Sequence, residues 1–193
     1  MDKQRLVQTA QALVAEKKGI LAADESGGTI KRRFDSINVE STEKSRRDYR
    51  EMLFRTAGVS DFISGVILFD ETIRQEAADG TPIVKVLTDQ GIIPGIKVDK
   101  GTISLPSAPD ELVTEGLDSL RDRLTEYVEL GASFTKWRAV ISITDDTPTS
   151  YGIAANAHAL ARFAALSQEA GLVPIVEPEV LRDGDHSIER CFE

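Results

Sequence analysis

The chain has 193 residues, of which 41% are hydrophobic and 28% charged, enough for one domain with a real apolar core and unlike the composition of a disordered segment. Its 32 acidic residues outnumber 23 basic ones for a formal net charge of −9, and no basic run is longer than Lys31-Arg32-Arg33, which argues against nucleic acid or an anionic membrane as a general partner. No stretch approaches the ~18 apolar residues of a membrane span, the N-terminus leads into an amphipathic pattern and not a signal core, and the lone Cys191 excludes an internal disulfide or thiolate cluster, so a reducing cytoplasm is the expected setting.

Residues 3 to 17 carry Leu6, Val7, Ala10, Leu13 and Val14 at helical spacing, with Gly19 able to supply a left-handed stop. The apolar run Ile20-Leu21-Ala22-Ala23 then reads as a first strand ending at Asp24. Ser41 or Thr42 can cap a helix burying Tyr49, Met52, Leu53 and Ala57, and a second strand follows from Ile63 to Phe69. Thr81-Pro82 reads as a cap and first helical residue ahead of Ile83, Val86 and Leu87, with Gly91 as the stop and a third strand from Ile93 to Ile96 running into Lys97. A helix is expected over 115–130 through Leu117, Leu120, Leu124 and Val128, ended by Gly131. The stretch Ala132 to Val140 forms the fourth strand. Thr147-Pro148 repeats the cap signal before a helix carrying Ile153, Ala157, Leu160 and Ala164, and after Gly171 comes a fifth strand, Leu172 to Val176, ending in Glu177-Pro178-Glu179.

A stopping glycine, a short apolar strand and a charge at its far end therefore recur along the chain, with a helix between repeats. Such units imply a parallel sheet, because each helix is the crossover that parallel pairing needs. Open doubly wound sheets and closed barrels share the unit, and in both the ligand sits where the strands end. Charges on several strand ends, in place of one glycine-rich fingerprint after the first strand, favour the barrel.

On that reading Asp24, Lys97, Lys136, Arg138, Glu177 and Glu179 converge on one mouth. Lys97 with Asp99, Lys136 with Arg138, and Glu177 with Glu179 are each two residues apart and so share a face of their strand. Opposite charges in a desolvated pocket shift one another's proton affinity, as acid and base catalysis requires; buried ion pairs of purely structural value are the competing reading. Ser26-Gly27-Gly28-Thr29 followed by Lys31, Arg32 and Arg33 supplies hydroxyls, backbone amides and cations suited to a phosphate, although the same residues make an ordinary loop and helix cap. His158 and His186 have no ligand spacing and read as surface residues, so no metal or other cofactor is expected.

Lys18-Gly-Ile-Leu-Ala-Ala-Asp-Glu-Ser26, Gly65-Val-Ile-Leu-Phe69, Gly95-Ile-Lys-Val-Asp-Lys-Gly101, Lys136-Trp-Arg138 and Val173-Pro-Ile-Val-Glu-Pro-Glu179 with Asp183-Gly-Asp-His186 together resemble class I fructose-bisphosphate aldolase, in order and across the whole chain. The resemblance implies a (β/α)8 barrel of which residues 1–193 form a single incomplete domain with the first five units, and metal-independent, reversible cleavage of fructose 1,6-bisphosphate into dihydroxyacetone phosphate and glyceraldehyde 3-phosphate in glycolysis. It implies that Asp24 handles protons near the bond being cleaved. Glu177 would be acid and base in forming and dehydrating the carbinolamine, with Glu179 its neighbour, and Lys136 would assist through its charge beside Arg138. Ser26, Thr29, Arg32, Arg33 and Lys97 would surround the substrate and its distal phosphate, and Arg46 would belong to the substrate-binding region. Partners would be small sugar phosphates, with a homo-oligomer open to the full-length protein.

Length is the departure from the family pattern. The family's Schiff-base lysine lies on a sixth strand and this sequence ends at Glu193, so an N-terminal part of a longer enzyme, inactive by itself, is expected. A shortened, noncatalytic sugar-phosphate-binding or interaction protein derived from the family is the alternative. Such a barrel would leave strands one and five with unpaired edges and leave Ile96 and Val176 on inward faces short of neighbours.

Overall fold

The computed structural model describes residues 2–193. In chain order the elements are α1 (Lys3–Leu13), β1 (Gly19–Ala23), α2 (Gly27–Asp35), α3 (Glu43–Phe54), α4 (Val59–Phe62), β2 (Ile63–Leu68), α5 (Asp70–Ile73), α6 (Ile83–Thr88), β3 (Ile93–Lys97), β4 (Thr102–Leu105), β5 (Ala108–Thr114), α7 (Leu120–Glu129), β6 (Phe134–Ile141), α8 (Ser150–Glu169), β7 (Val173–Val180) and α9 (Ile188–Phe192). Among the described residues β1, β2, β3, β6 and β7 make one five-stranded sheet in that order, every pair parallel, and β4 with β5 makes a separate antiparallel hairpin. The sheet is curled. In a flat sheet β1 and β6 would stand about 14 Å apart at ~4.8 Å per strand, yet Lys136 on β6 reaches Asp24, just past β1, at 3.1 Å.

Alternation along the strands divides the sheet into two unlike faces. Partners in register place Gly95, Phe134 and Val173 on the concave face, followed by Lys97, Lys136 and Ile175 and then by Arg138 and Glu177. The lower part of that face is apolar: Ile67 and Phe134 pack with Ile20, Ile93, Val173 and Ile175, and Leu13 from α1 plugs the bottom. Glycine is required at one position there, because a Cβ on Gly95 would lie 2.3 Å from the Phe134 ring. The upper part is charged. An apolar floor beneath the ionic groups limits their access to water from below and strengthens their mutual interaction.

The convex face packs on the helices. Trp137 stacks on Phe163 of α8 with ring centroids 5.5 Å apart, and Leu124, Tyr127, Leu160 and Leu172 belong to the same core. Removing the Phe163 ring would cost about 3–5 kcal/mol. Ile96 and Val176 lie on this side and not on the inward faces, since they pair in register with Thr135 and Trp137; Ile96 is fully buried and Val176 is exposed.

Several local expectations need correction. Helix α1 stops at Leu13, Lys17 takes the left-handed conformation with φ 64, and Gly19 is already strand. Helix α3 is capped by Thr42, but its inward residues are Arg50 and Phe54 with Leu53 half-buried, while Met52 and Ala57 are exposed. A guanidinium takes the place expected for an apolar side chain because buried acceptors await it on Thr72 and Glu25. Helix α8 is capped by Thr149, not Thr147, and Ile153 and Ala157 face solvent. Polar Asn156 and Ser167 hold core-facing positions instead, the first bonded to the Leu112 carbonyl and the second to Thr135. Pro82 precedes α6 as its cap, and α7 begins only at Leu120, with Val128 partly exposed. Strand β7 does not end at Val176; it runs through Glu177 and Glu179 to Val180, paired with β6 as far as Ile141.

Candidate active site

The carboxyl ends of the strands open into a cleft of about 910 Å³ whose lining includes Asp24, Ser26, Lys97, Lys136, Arg138 and Glu177. Lys136 is its centre. The ammonium nitrogen lies 3.1 Å from Asp24 Oδ2 and 2.9 Å from Glu177 Oε2, with the Lys136 and Asp24 side chains each 11% exposed. Burial pulls the Lys136 pKa down, but the hydrogen bond to Glu177 and the charges of Asp24 and Glu177 outweigh it and hold it above the ordinary lysine range. The ammonium is therefore a fixed positive charge, and breaking such a pair by removing one partner costs about 3–5 kcal/mol.

Beside this triad, Lys97 pairs with Asp99 on its own strand end, and Asp99 also accepts from the backbone N–H groups of Arg138 and Gly101 at 3.3 and 3.1 Å. Arg138 pairs with Glu179 one strand over, and that bond raises the arginine pKa while holding the Glu179 carboxyl below its usual range. Glu179 is absent from the lining and buttresses Arg138 from further along β7. Ser26 is the N-cap residue of α2, and its hydroxyl lies 3.3 Å from that of Thr29. Arg33 projects to the cleft from α2 and pairs with Glu25; Arg32, exposed, bonds to Thr29 and does not line the cleft. Arg46 is set apart from all of these, held by Glu71 through bonds of 2.8 and 2.5 Å and by the Ser41 carbonyl.

Arg74 and Tyr127 are not singled out by the sequence, and Asp70, the charge that ends the second strand, is not placed at the mouth by it. Asp70 accepts from Tyr127 at 2.7 Å and pairs with Arg74 at 3.0 Å, so a carboxylate and a guanidinium from α5 and its cap and a phenol from α7 form one wall. Burial pushes the Asp70 carboxyl up, but the Arg74 and Tyr127 bonds prevail and hold it low. Arg123 donates to the carbonyls of Val98 and Gly116 and so closes the base of the β4–β5 hairpin. At the other end Glu111 accepts from the Thr149 amide at 2.9 Å and its hydroxyl at 2.5 Å, fastening the hairpin to the first turn of α8. Nothing in the sequence around Glu111 says that it is buried or what it meets. His158 is exposed, whereas His186 is half-buried with its Nδ1 unpartnered. Among the described residues no three His, Cys, Asp or Glu side chains are grouped to hold a metal ion.

A curled parallel sheet whose charged groups meet at the carboxyl ends of its strands is the architecture of a barrel-type enzyme site. The family model for fructose-bisphosphate aldolase class-I matches residues 5–193. A "Probable fructose-bisphosphate aldolase class 1" of Xanthomonas campestris pv. campestris is 62% identical over all of this chain and 58% of its own length. "Fructose-bisphosphate aldolase 6, cytosolic" of Arabidopsis thaliana is 53% identical over 96% of this chain and 52% of its own. Among solved structures, fructose-bisphosphate aldolase from Plasmodium falciparum, in complex with TRAP and a small-molecule inhibitor, superposes with a TM-score of 0.95 at 52% identity, over 97% of this chain and 55% of that one. The chain belongs to the class I fructose-bisphosphate aldolase family, and it spans just over half the length of these relatives.

Proposed function

We propose that these residues form part of a site for the reversible, metal-independent cleavage of fructose 1,6-bisphosphate to dihydroxyacetone phosphate and glyceraldehyde 3-phosphate, a glycolytic reaction carried out in the cytoplasm through a lysine Schiff base. The observation that carries the reading is Lys136 held between two carboxylates, 3.1 Å from Asp24 and 2.9 Å from Glu177. A cation fixed there stabilises negative charge developing on substrate oxygen, and two carboxylates on either side can take and return protons. Asp24 would take the hydroxyl proton as the carbon–carbon bond breaks. Glu177 would donate to the departing hydroxyl of the carbinolamine, so that water leaves and the iminium forms. Lys97, Arg33, Ser26 and Thr29 would hold the distal phosphate, and Arg138, braced by Glu179, would lie along the sugar. Arg32 and Arg46 are assigned outlying parts in substrate binding.

The Schiff-base lysine expected on a sixth strand is not among residues 1–193, which on this reading are one barrel domain in part and have no turnover by themselves. The test is a cleavage assay on a protein carrying this chain together with the remaining strands, with and without EDTA, and with borohydride added to substrate and enzyme. EDTA-resistant cleavage and a trapped adduct on a lysine outside residues 1–193 are expected. Activity lost to EDTA and restored by zinc, or an adduct on Lys97 or Lys136, would reject the reading.

A further inference from the structure

Glu25 stands between two arginines and is hydrogen-bonded through its carboxylate to only one of them. Its Oε1 pairs with Arg33, whose side chain is 60% exposed at the cleft, whereas its own side chain is 8% exposed. Its Oε2 is buried without a hydrogen-bond partner and lies 3.9 Å from Nη2 of Arg50. Arg50 is fully buried, and its direct bonds go to neutral acceptors, the Thr72 hydroxyl at 2.5 Å and the Glu25 carbonyl at 2.7 Å. Its Nε is buried and unpartnered, and the nearest Glu71 oxygen, occupied by Arg46, is 3.8 Å from Nη1. The Phe69 ring covers the guanidinium at 5.7 Å. A buried cation without a direct carboxylate bond, facing a buried carboxylate oxygen without a donor, leaves both groups under-satisfied by about one charge-assisted bond.

Resting on the sugar-phosphate reading of the cleft, we propose that Glu25 is an exchangeable counter-ion that holds Arg33 in the empty site and moves onto Arg50 when the phosphate of a ligand takes Arg33. The motion needed is about an ångström at the carboxylate, from 3.9 Å to bonding distance. Without a second partner, phosphate capture would strand Glu25 as a buried carboxylate beside a new anion. Arg50 removes that cost. Because Arg50 also bonds the Glu25 carbonyl, next in the chain to Asp24, the exchange tightens the backbone beside the proposed proton-transferring aspartate.

The test is calorimetric titration of inorganic phosphate into the full chain and its Arg33→Gln, Glu25→Gln, Arg50→Gln and Glu25→Gln/Arg50→Gln variants. Arg33→Gln should abolish most of the affinity; no change there overturns the phosphate role of Arg33 and this inference together. Glu25→Gln, which frees Arg33 from a partly exposed pair, should bind phosphate about 2- to 5-fold tighter. Arg50→Gln should bind about tenfold weaker, and the double variant should behave as Glu25→Gln does, since Arg50 acts only through Glu25. If Arg33→Gln weakens binding but Glu25→Gln weakens it too, Glu25 is a static support and the exchange is wrong while the phosphate reading stands. Should Arg50→Gln fail to fold, a structure of the wild-type chain with phosphate decides: a Glu25 carboxylate bonded to Arg50 supports the exchange, and one still on Arg33 overturns it.

Discussion

Lys136 and Asp24 are separated by 112 positions in the chain, and their side chains meet 3.1 Å apart in a buried pair. One comes from the fourth strand of the sheet and the other from the turn after its edge strand, so their contact depends on the curl of the whole sheet. Lys136→Met would leave two carboxylates facing each other without a cation. In a protein carrying this chain together with the remaining strands, the proposed cleavage of fructose 1,6-bisphosphate should slow about 10²- to 10³-fold. An unchanged rate would remove Lys136 from the chemistry.

The same pair has a signature in alkali. The Lys136 pKa is raised on folding, so its contribution to stability is complete below the ordinary lysine value and is lost as pH climbs through the higher folded one. Urea midpoints should therefore fall above about pH 10, and the fall should be shallower in Lys136→Met. Parallel curves for the two proteins between pH 9 and 12 would contradict the raised value.

Glu177→Gln preserves shape and removes the carboxylate proposed to transfer protons. Turnover should drop about 10²- to 10⁴-fold while substrate still binds. Rate and affinity measured side by side separate this from a loss of binding, and a variant with normal turnover would rule Glu177 out as the acid and base.

On the cleft wall, Tyr127→Phe deletes the donor 2.7 Å from Asp70. The Asp70 carboxyl, held low by Arg74 and Tyr127, should titrate higher in the variant, and stability should fall by about 1 kcal/mol. The sign in acid follows: because the folded value is depressed, the contribution of Asp70 is present at neutral pH and disappears as pH drops through that value, earlier in the variant than in the parent. Carboxyl NMR titration reads the first, and urea unfolding at several acid pH values reads the second.

The hairpin latch should be strong. Glu111 is buried and accepts two bonds from Thr149, so Glu111→Ala should cost about 2–4 kcal/mol. Amide exchange should accelerate over 102–114 and in the first turn of α8 ahead of the remaining core. Uniform acceleration would mean that the hairpin is not fastened there.

Much of this arrangement was written into local pattern. Glycine, apolar strand, terminal charge and amphipathic helix recur, and a period of two along β6 and β7 is enough to put Lys136 with Arg138 and Glu177 with Glu179 on shared faces, because alternation is a property of the extended backbone itself. What the chain alone could not settle was which charges meet, and which helix face is buried when the buried groups are polar. Arg50, Asn156 and Ser167 look like surface residues by composition and are buried because their hydrogen-bond partners arrive from Glu25, Leu112 and Thr135, between 25 and 44 positions away in the chain. Similarly, Arg33 and Arg46 sit in equally basic stretches, yet only Arg33 reaches the cleft, since helix orientation and not residue type decides where a guanidinium points. Local periodicity depends on neighbours along the backbone and survives in a sequence; pairing across a curled sheet depends on distances that exist only once the chain has closed upon itself.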